Sequence, residues 1–181
     1  MKKTIAIVDD HILIAKALKS IISNFNQFEV IHICENGLDF QEKIKTKPLP
    51  HIVLLDISMP IMDGFETAKW LKENHPDILI MALSMQDDEQ SLIKMIKNGA
   101  KGYMLKNTEP RELEKGLENL IDKGHFFPDW ASSKIVTSIS ENTIHANLKL
   151  KLSEREIEFL KYTTTEMTYK EISEKMFCSP R

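Results

Sequence analysis

The 181-residue sequence is poor in several things, and each shortage removes a class of function. It has two cysteines, Cys34 and Cys178, too few and too far apart for a disulfide framework and without the paired spacing that holds zinc. A reducing compartment is the expectation. Charge of one sign is lacking too: 24 Lys and Arg stand against 27 Asp and Glu, for a net charge of -3, so the chain has no global signature of nucleic-acid binding. Charge runs and low-complexity tracts that would argue for disorder are missing. So are long apolar runs. Lys2 and Lys3 precede an apolar stretch that Asp9 and Asp10 close after Val8, too soon for a signal-peptide core or a membrane span. The expected location is the cytoplasm, with no membrane partner.

What is present is ordinary globular composition, 42% hydrophobic and 28% charged. The length fits one domain of roughly 100 to 150 residues plus a fragment. The chain is organised around His51 to Gly64, where Ile52 to Leu55 and Ile57 are interrupted only by Asp56 and the run stops at Pro60 and Gly64. That is the pattern of a strand buried on both faces and delivered into a loop. Asp56 stands at its carboxyl end, where ligands bind in open α/β sheets; alone it reads equally well as a strand-end cap.

The remaining chain alternates strands and helices. Strands are expected at Ile5–Val8, Phe28–Ile33, Ile78–Leu83 and Gly102–Leu105. Helical spacing joins Ile12, Ala15, Leu18, Ile21 and Ile22, and further helices run from Leu38 to Lys45, from Asp63 past Phe65, Ala68 and Leu71, from Asp87 to Lys97 and from Arg111 to Asp122. Five strands joined by helical crossovers make an α/β domain, a five-stranded doubly wound parallel sheet. Its strands end on one common edge in Asp9 and Asp10, Asp56, Ser84 and Lys106. Capping alone does not explain three carboxylates, a hydroxyl and an ammonium on one edge.

Three converging carboxylates need a cation between them, and an all-oxygen set suits Mg²⁺. Asp10 and Asp56 would be direct ligands, with the Ser58 backbone carbonyl and a water held by Asp9 completing the shell. A carboxylate is also a nucleophile towards phosphorus. Lys106 would neutralise charge on the phosphoryl oxygens and Ser84 would hydrogen-bond one of them.

With these residues in place, positions 1–124 resemble the receiver domain of a two-component response regulator, with its flavodoxin-like fold. Val-Asp-Asp-His, Leu-Leu-Asp-Ile-Ser-Met-Pro-Ile-Met-Asp-Gly, Leu-Ser and Gly-Tyr-Met-Leu-Lys lie in that family's order and spacing. The resemblance implies that Asp56 accepts a phosphoryl group from a sensor histidine kinase, that Asp9 and Asp10 hold Mg²⁺, that Ser84 and Lys106 read the phosphate and that Tyr103 is the aromatic switch. It implies no enzyme beyond Mg²⁺-dependent phosphorylation and dephosphorylation of the protein itself. On phosphorylation Ser84 is expected to move toward the phosphate and Tyr103 to swing inward behind it, reshaping the face made by the last two helices and the strand between them. Two positions depart from the commonest pattern: Met85 follows Ser84 where a small residue is frequent, which would narrow access to Asp56, and Asn107 follows Lys106 where many receivers carry proline. His11 reads as a surface neighbour of the acid pair. A metal-dependent phosphohydrolase with an aspartate nucleophile would carry a second aspartate where Ser58 stands, and flavin is disfavoured because Asp9-Asp10-His11 fills the loop that would cradle its phosphate.

Residues 125–150 read as an aromatic exit segment, Phe126 to Trp130, merging into a Ser/Thr/Asn-rich linker. From 151 to 181 the chain resembles the start of a LuxR/NarL-type helix-turn-helix domain, through Leu152-Ser153-Glu154-Arg155-Glu156, then Lys170-Glu171-Ile172-Ser173, then Ser179-Pro180-Arg181, with Glu166 replacing the glycine common at the inter-helix turn. The match stops where the recognition helix should begin, so the base-reading element is expected to be absent, and over 126–181 eight Lys/Arg oppose eight Asp/Glu, leaving no basic face to replace it. The expectation is a LuxR/NarL response regulator whose intact form, a homodimer, controls transcription at promoter DNA. The alternative is a naturally shortened regulator acting through protein contacts.

Overall fold

Each apolar run is followed by an amphipathic helix that must return across a face of the sheet before the next strand can pair, so the strands are forced parallel. In the computed structural model, which describes residues 2–85, 87–132 and 175, the order is β1 (Lys3–Val8), α1 (Ile12–Ser23), β2 (Phe28–Cys34), α2 (Gly37–Thr46), β3 (Ile52–Asp56), α3 (Gly64–Asn74), β4 (Leu79–Ser84), α4 (Glu89–Lys97), β5 (Gly102–Leu105) and α5 (Pro110–Lys123). The strands lie in the order β2-β1-β3-β4-β5, all parallel. Strand addition reverses direction between β1 and β3. Chain leaving these two strands diverges to opposite faces, which opens a crevice at their carboxyl ends. The chain divides into a unit Met1–Lys134 and a unit Ile135–Arg181. The helix-turn-helix expected over 151–181 lies outside the described residues, Lys175 excepted, as does the linker beyond Ser132.

Central strands β1 and β3 explain the unbroken apolar runs. Ile5 to Val8 and Ile52 to Leu55 are all fully buried, since both sheet faces are covered by helices. Ile5, Ile7, Ile52 and Leu54 pack with Ala15 and Ile22 of α1 and with Leu113, Leu117 and Leu120 of α5. Among the described residues no helix is long and apolar enough to cross a membrane.

Helix starts follow local polar chemistry. Asp63 caps α3 through a reciprocal capping box, its carboxylate accepting from the Glu66 N–H at 2.8 Å while Glu66 accepts from the Asp63 N–H at 3.2 Å. The fourth helix starts at Glu89 rather than Asp87, because Asp88 is the residue whose carboxylate takes the free N–H groups of Gln90 and Ser91. Ile12, expected on the apolar face of α1, is half exposed. At Gly64 the α3 start passes so close to β3 that a Cβ would lie 2.2 Å from the Asp56 carbonyl oxygen and 2.7 Å from Ile57 Cα. A glycine there lets the loop close over the strand end.

After α5 the chain does not leave the sheet at once. Phe126 donates its N–H to Lys101 O (3.0 Å) and accepts the Tyr103 N–H (3.1 Å), forming a parallel bridge with Gly102 along the outer edge of β5.

Candidate functional site

The carboxyl edge of the sheet gathers the residues singled out in sequence. Asp9 follows β1 and is 1% exposed, Asp56 ends β3 at 4%, and Ser84 ends β4 at 9%. Lys106, just past β5, is tied to β4 by its N–H to the Ser84 carbonyl at 2.7 Å. Its ammonium reaches Asp9 Oδ2 at 2.8 Å and Asp56 Oδ2 at 2.9 Å, with all three side chains nearly excluded from water. Two carboxylates so placed offset the cost of taking the lysine head out of water. Among the described residues no peptide bond is cis, so the Lys106–Asn107 bond, where many receivers have proline, is trans.

Asp10 is partly exposed and meets His11 Nδ1 at 2.9 Å, while the same nitrogen lies 3.3 Å from Asp9 Oδ1. His11 is therefore a surface residue whose ring nevertheless rests on both acids. Ligand atoms of Asp9, Asp10, His11 and Asp56 all fall within 4.8 Å of one another. Two shielded oxygens, Asp9 Oδ2 and Asp10 Oδ1, have no hydrogen-bond partner, with the Lys106 ammonium and His11 Nδ1 lying beside them. Three clustered carboxylates, two of them with an unpartnered oxygen, fit a hard divalent cation.

Burial pushes the Asp56 carboxyl above its ordinary range, as does neighbouring Asp9, against the opposing pull of Lys106 and of the Ser58 N–H that donates to it. The Ser58 residue is exposed, at the mouth of an open cleft of about 320 Å³ lined by His11, Asp56, Ser84, Met85, Asp88 and Lys106. Met85 is 71% exposed and stands at the cleft wall.

Tyr103 is fully buried. Its hydroxyl shares a hydrogen bond with the Ser84 side chain, and burial with the nearby Asp87 and Asp88 carboxylates pushes the phenol up. The inward place expected of the ring after phosphorylation is thus occupied in this structure. Sequence reasoning did not single out Trp130, which meets Tyr103 edge-to-face at 5.6 Å between ring centres and 82° between planes; nothing periodic in the sequence marks that contact.

The model of the response regulator receiver domain matches residues 5–118. The oxygen regulatory protein NreC of Staphylococcus aureus is 30% identical over 182 residues, covering 97% of this chain and 83% of the relative. Among solved structures, a LuxR-family two-component response regulator from Aurantimonas sp. SI85-9A1 superposes with a TM-score of 0.67 at 22% identity, covering 77% of this chain and 99% of that one. The isolated receiver domain of RcsB from Salmonella enterica serovar Typhimurium, solved with the phosphomimetic BeF3-, gives 0.66 at 24% identity, covering 74% and 99%. Parallel β2-β1-β3-β4-β5 order, an acid cluster at the switch point and a family model spanning most of the sheet place this chain among the two-component response regulators, in their LuxR/NarL branch.

Proposed function

We propose that Asp56 is the phosphoryl acceptor of this regulator and that the strand-end constellation exists to make, hold and sense the acyl phosphate. The observation that carries this is the Lys106 ammonium in simultaneous contact with Asp9 and Asp56. A cation poised against the acceptor is where phosphoryl charge would be neutralised. An Asp56 Oδ attacks phosphorus, the phosphorus–nitrogen bond of a kinase phosphohistidine breaks, and the imidazole leaves with a proton. Lys106 then trades its contact with Asp56 for one with the phosphoryl oxygens, and the Ser84 hydroxyl donates to another. Asp9, Asp10, Asp56 and the Ser58 carbonyl would hold Mg²⁺, which when bound supplies charge neutralisation at the phosphoryl oxygens.

Response regulators of this type act with histidine kinases and on DNA rather than as catalytic enzymes. The proposed donor is a sensor histidine kinase. Supporting a protein donor, Ile12, Leu13, Ile61 and Met85 are 50%, 83%, 76% and 71% exposed on segments that frame the cleft, an apolar rim that a docking surface would cover. The proposed output is control of transcription by a homodimer of the intact regulator in the cytoplasm. Incubation with Mg²⁺ and radiolabelled acetyl phosphate should place acid-labile label on the wild-type chain and none on Asp56→Asn, and chelation of the metal should stop labelling. Label persisting on the variant would assign the acceptor elsewhere.

A further inference from the structure

Phe126 and Trp130 lie beyond the last helix of the receiver, yet they grip its switch residue from two sides. The Phe126 backbone is hydrogen-bonded on both sides of Gly102, its carbonyl taking the N–H of Tyr103 itself. Its ring sits against α5 at Gly116, where an added Cβ would come within 3.1 Å of the Phe126 ring and 2.6 Å of Met104 Cε. Two residues on a helical turn begins, the Ser132 N–H reaching the Pro128 carbonyl at 2.9 Å. That turn buries Ala131 completely and sets the Trp130 ring edge-to-face on Tyr103. The phenol is thereby closed in between this turn and the Ser84 hydroxyl.

We propose that Trp130 is the positioning residue of the switch: it holds Tyr103 inward beside Ser84, so that the state of Asp56 and the anchoring of the exit segment share one equilibrium. The inference rests on Asp56 being the acceptor and adds how its signal leaves the domain. Contact between the rings favours the inward rotamer before any phosphoryl group arrives. By reciprocity, whatever favours that rotamer also tightens binding of a phosphoryl group or its mimic, and the mimic in turn tightens the exit segment on β5. The effect of one aromatic contact of this kind on an equilibrium is about two- to tenfold.

The test is titration of Mg²⁺ with beryllofluoride, followed by calorimetry, on the full chain as wild type, Trp130→Ala and Trp130→Phe, each also in a Tyr103→Ala background. Trp130→Ala is expected to bind the mimic about two- to tenfold more weakly and Trp130→Phe within about twofold of wild type. In the Tyr103→Ala background, Trp130→Ala should have no further effect, because the residue acts through the phenol. Equal affinity of wild type and a folded Trp130→Ala overturns the proposal, as does the same loss with and without Tyr103, which would mark Trp130 as structural. If Trp130→Ala does not fold, Trp130→Leu, which keeps apolar bulk but no aromatic edge, takes its place with the same outcomes. A wild-type chain that binds no beryllofluoride would instead overturn the reading of Asp56.

Discussion

At the scale of single residues, the buried Asp56 carboxylate costs the fold stability. Burial lifts the Asp56 carboxyl above its ordinary range despite the Lys106 contact. A carboxyl whose folded value exceeds its unfolded one contributes stability below the unfolded value and loses it as pH rises through the folded value. At neutral pH the ionised form therefore works against folding, and Asp56→Asn removes that cost while leaving Lys106 its contact with Asp9. In metal-free buffer the variant should melt higher than wild type at neutral pH, with the gap closing as pH falls toward the carboxylate range; a variant that melts lower at neutral pH would contradict this. Cys34 makes the opposite case of a group with no reactive part to play. Burial pushes its thiol up to about 12, so the thiolate that reacts with alkylating agents is scarce. Iodoacetamide followed by peptide mapping should leave Cys34 unmodified in the native protein and label it after denaturation.

Among the elements, the loop between β3 and α3 carries the tightest constraint. Since a Cβ on Gly64 would strike the Asp56 carbonyl and Ile57 Cα, backbone rather than a flexible side chain must yield. Gly64→Ala should cost about 2 to 3 kcal/mol in denaturant unfolding and should also slow phosphorylation, because the displaced loop carries Ser58. In the same loop Ile61 has a φ of 70° while its side chain is 76% exposed. A β-branched residue in the left-handed region is strained, and the Met62 N–H donating to the Pro60 carbonyl at 2.8 Å holds the turn closed around it. The elements themselves were legible because their periods differ: two-sided burial wrote β1 and β3 as solid apolar runs, and 3.6-residue spacing wrote the helices. Strand ends then brought Asp9, Asp10, Asp56, Ser84 and Lys106 to one edge before any coordinates. What stayed hidden was contact without period. Met95 of α4 is fully buried with nothing in the sequence to mark it, and the Phe126–Trp130 segment read as an aromatic exit because a single bridge on an edge strand leaves no repeat to detect.

For the molecule as a whole, β2 and β5 are the two rims of the sheet, and rims are where sheets of separate molecules fuse. Phe126 closes the β5 rim with two backbone hydrogen bonds. Another chain could add a strand there only by peeling Phe126 away, and the turn that seats Trp130 on Tyr103 would be pulled from its anchor with it. Protection against sheet fusion and control of the switch are therefore one device: a molecule that had begun to aggregate through β5 would have lost its grip on Tyr103 before it lost its fold.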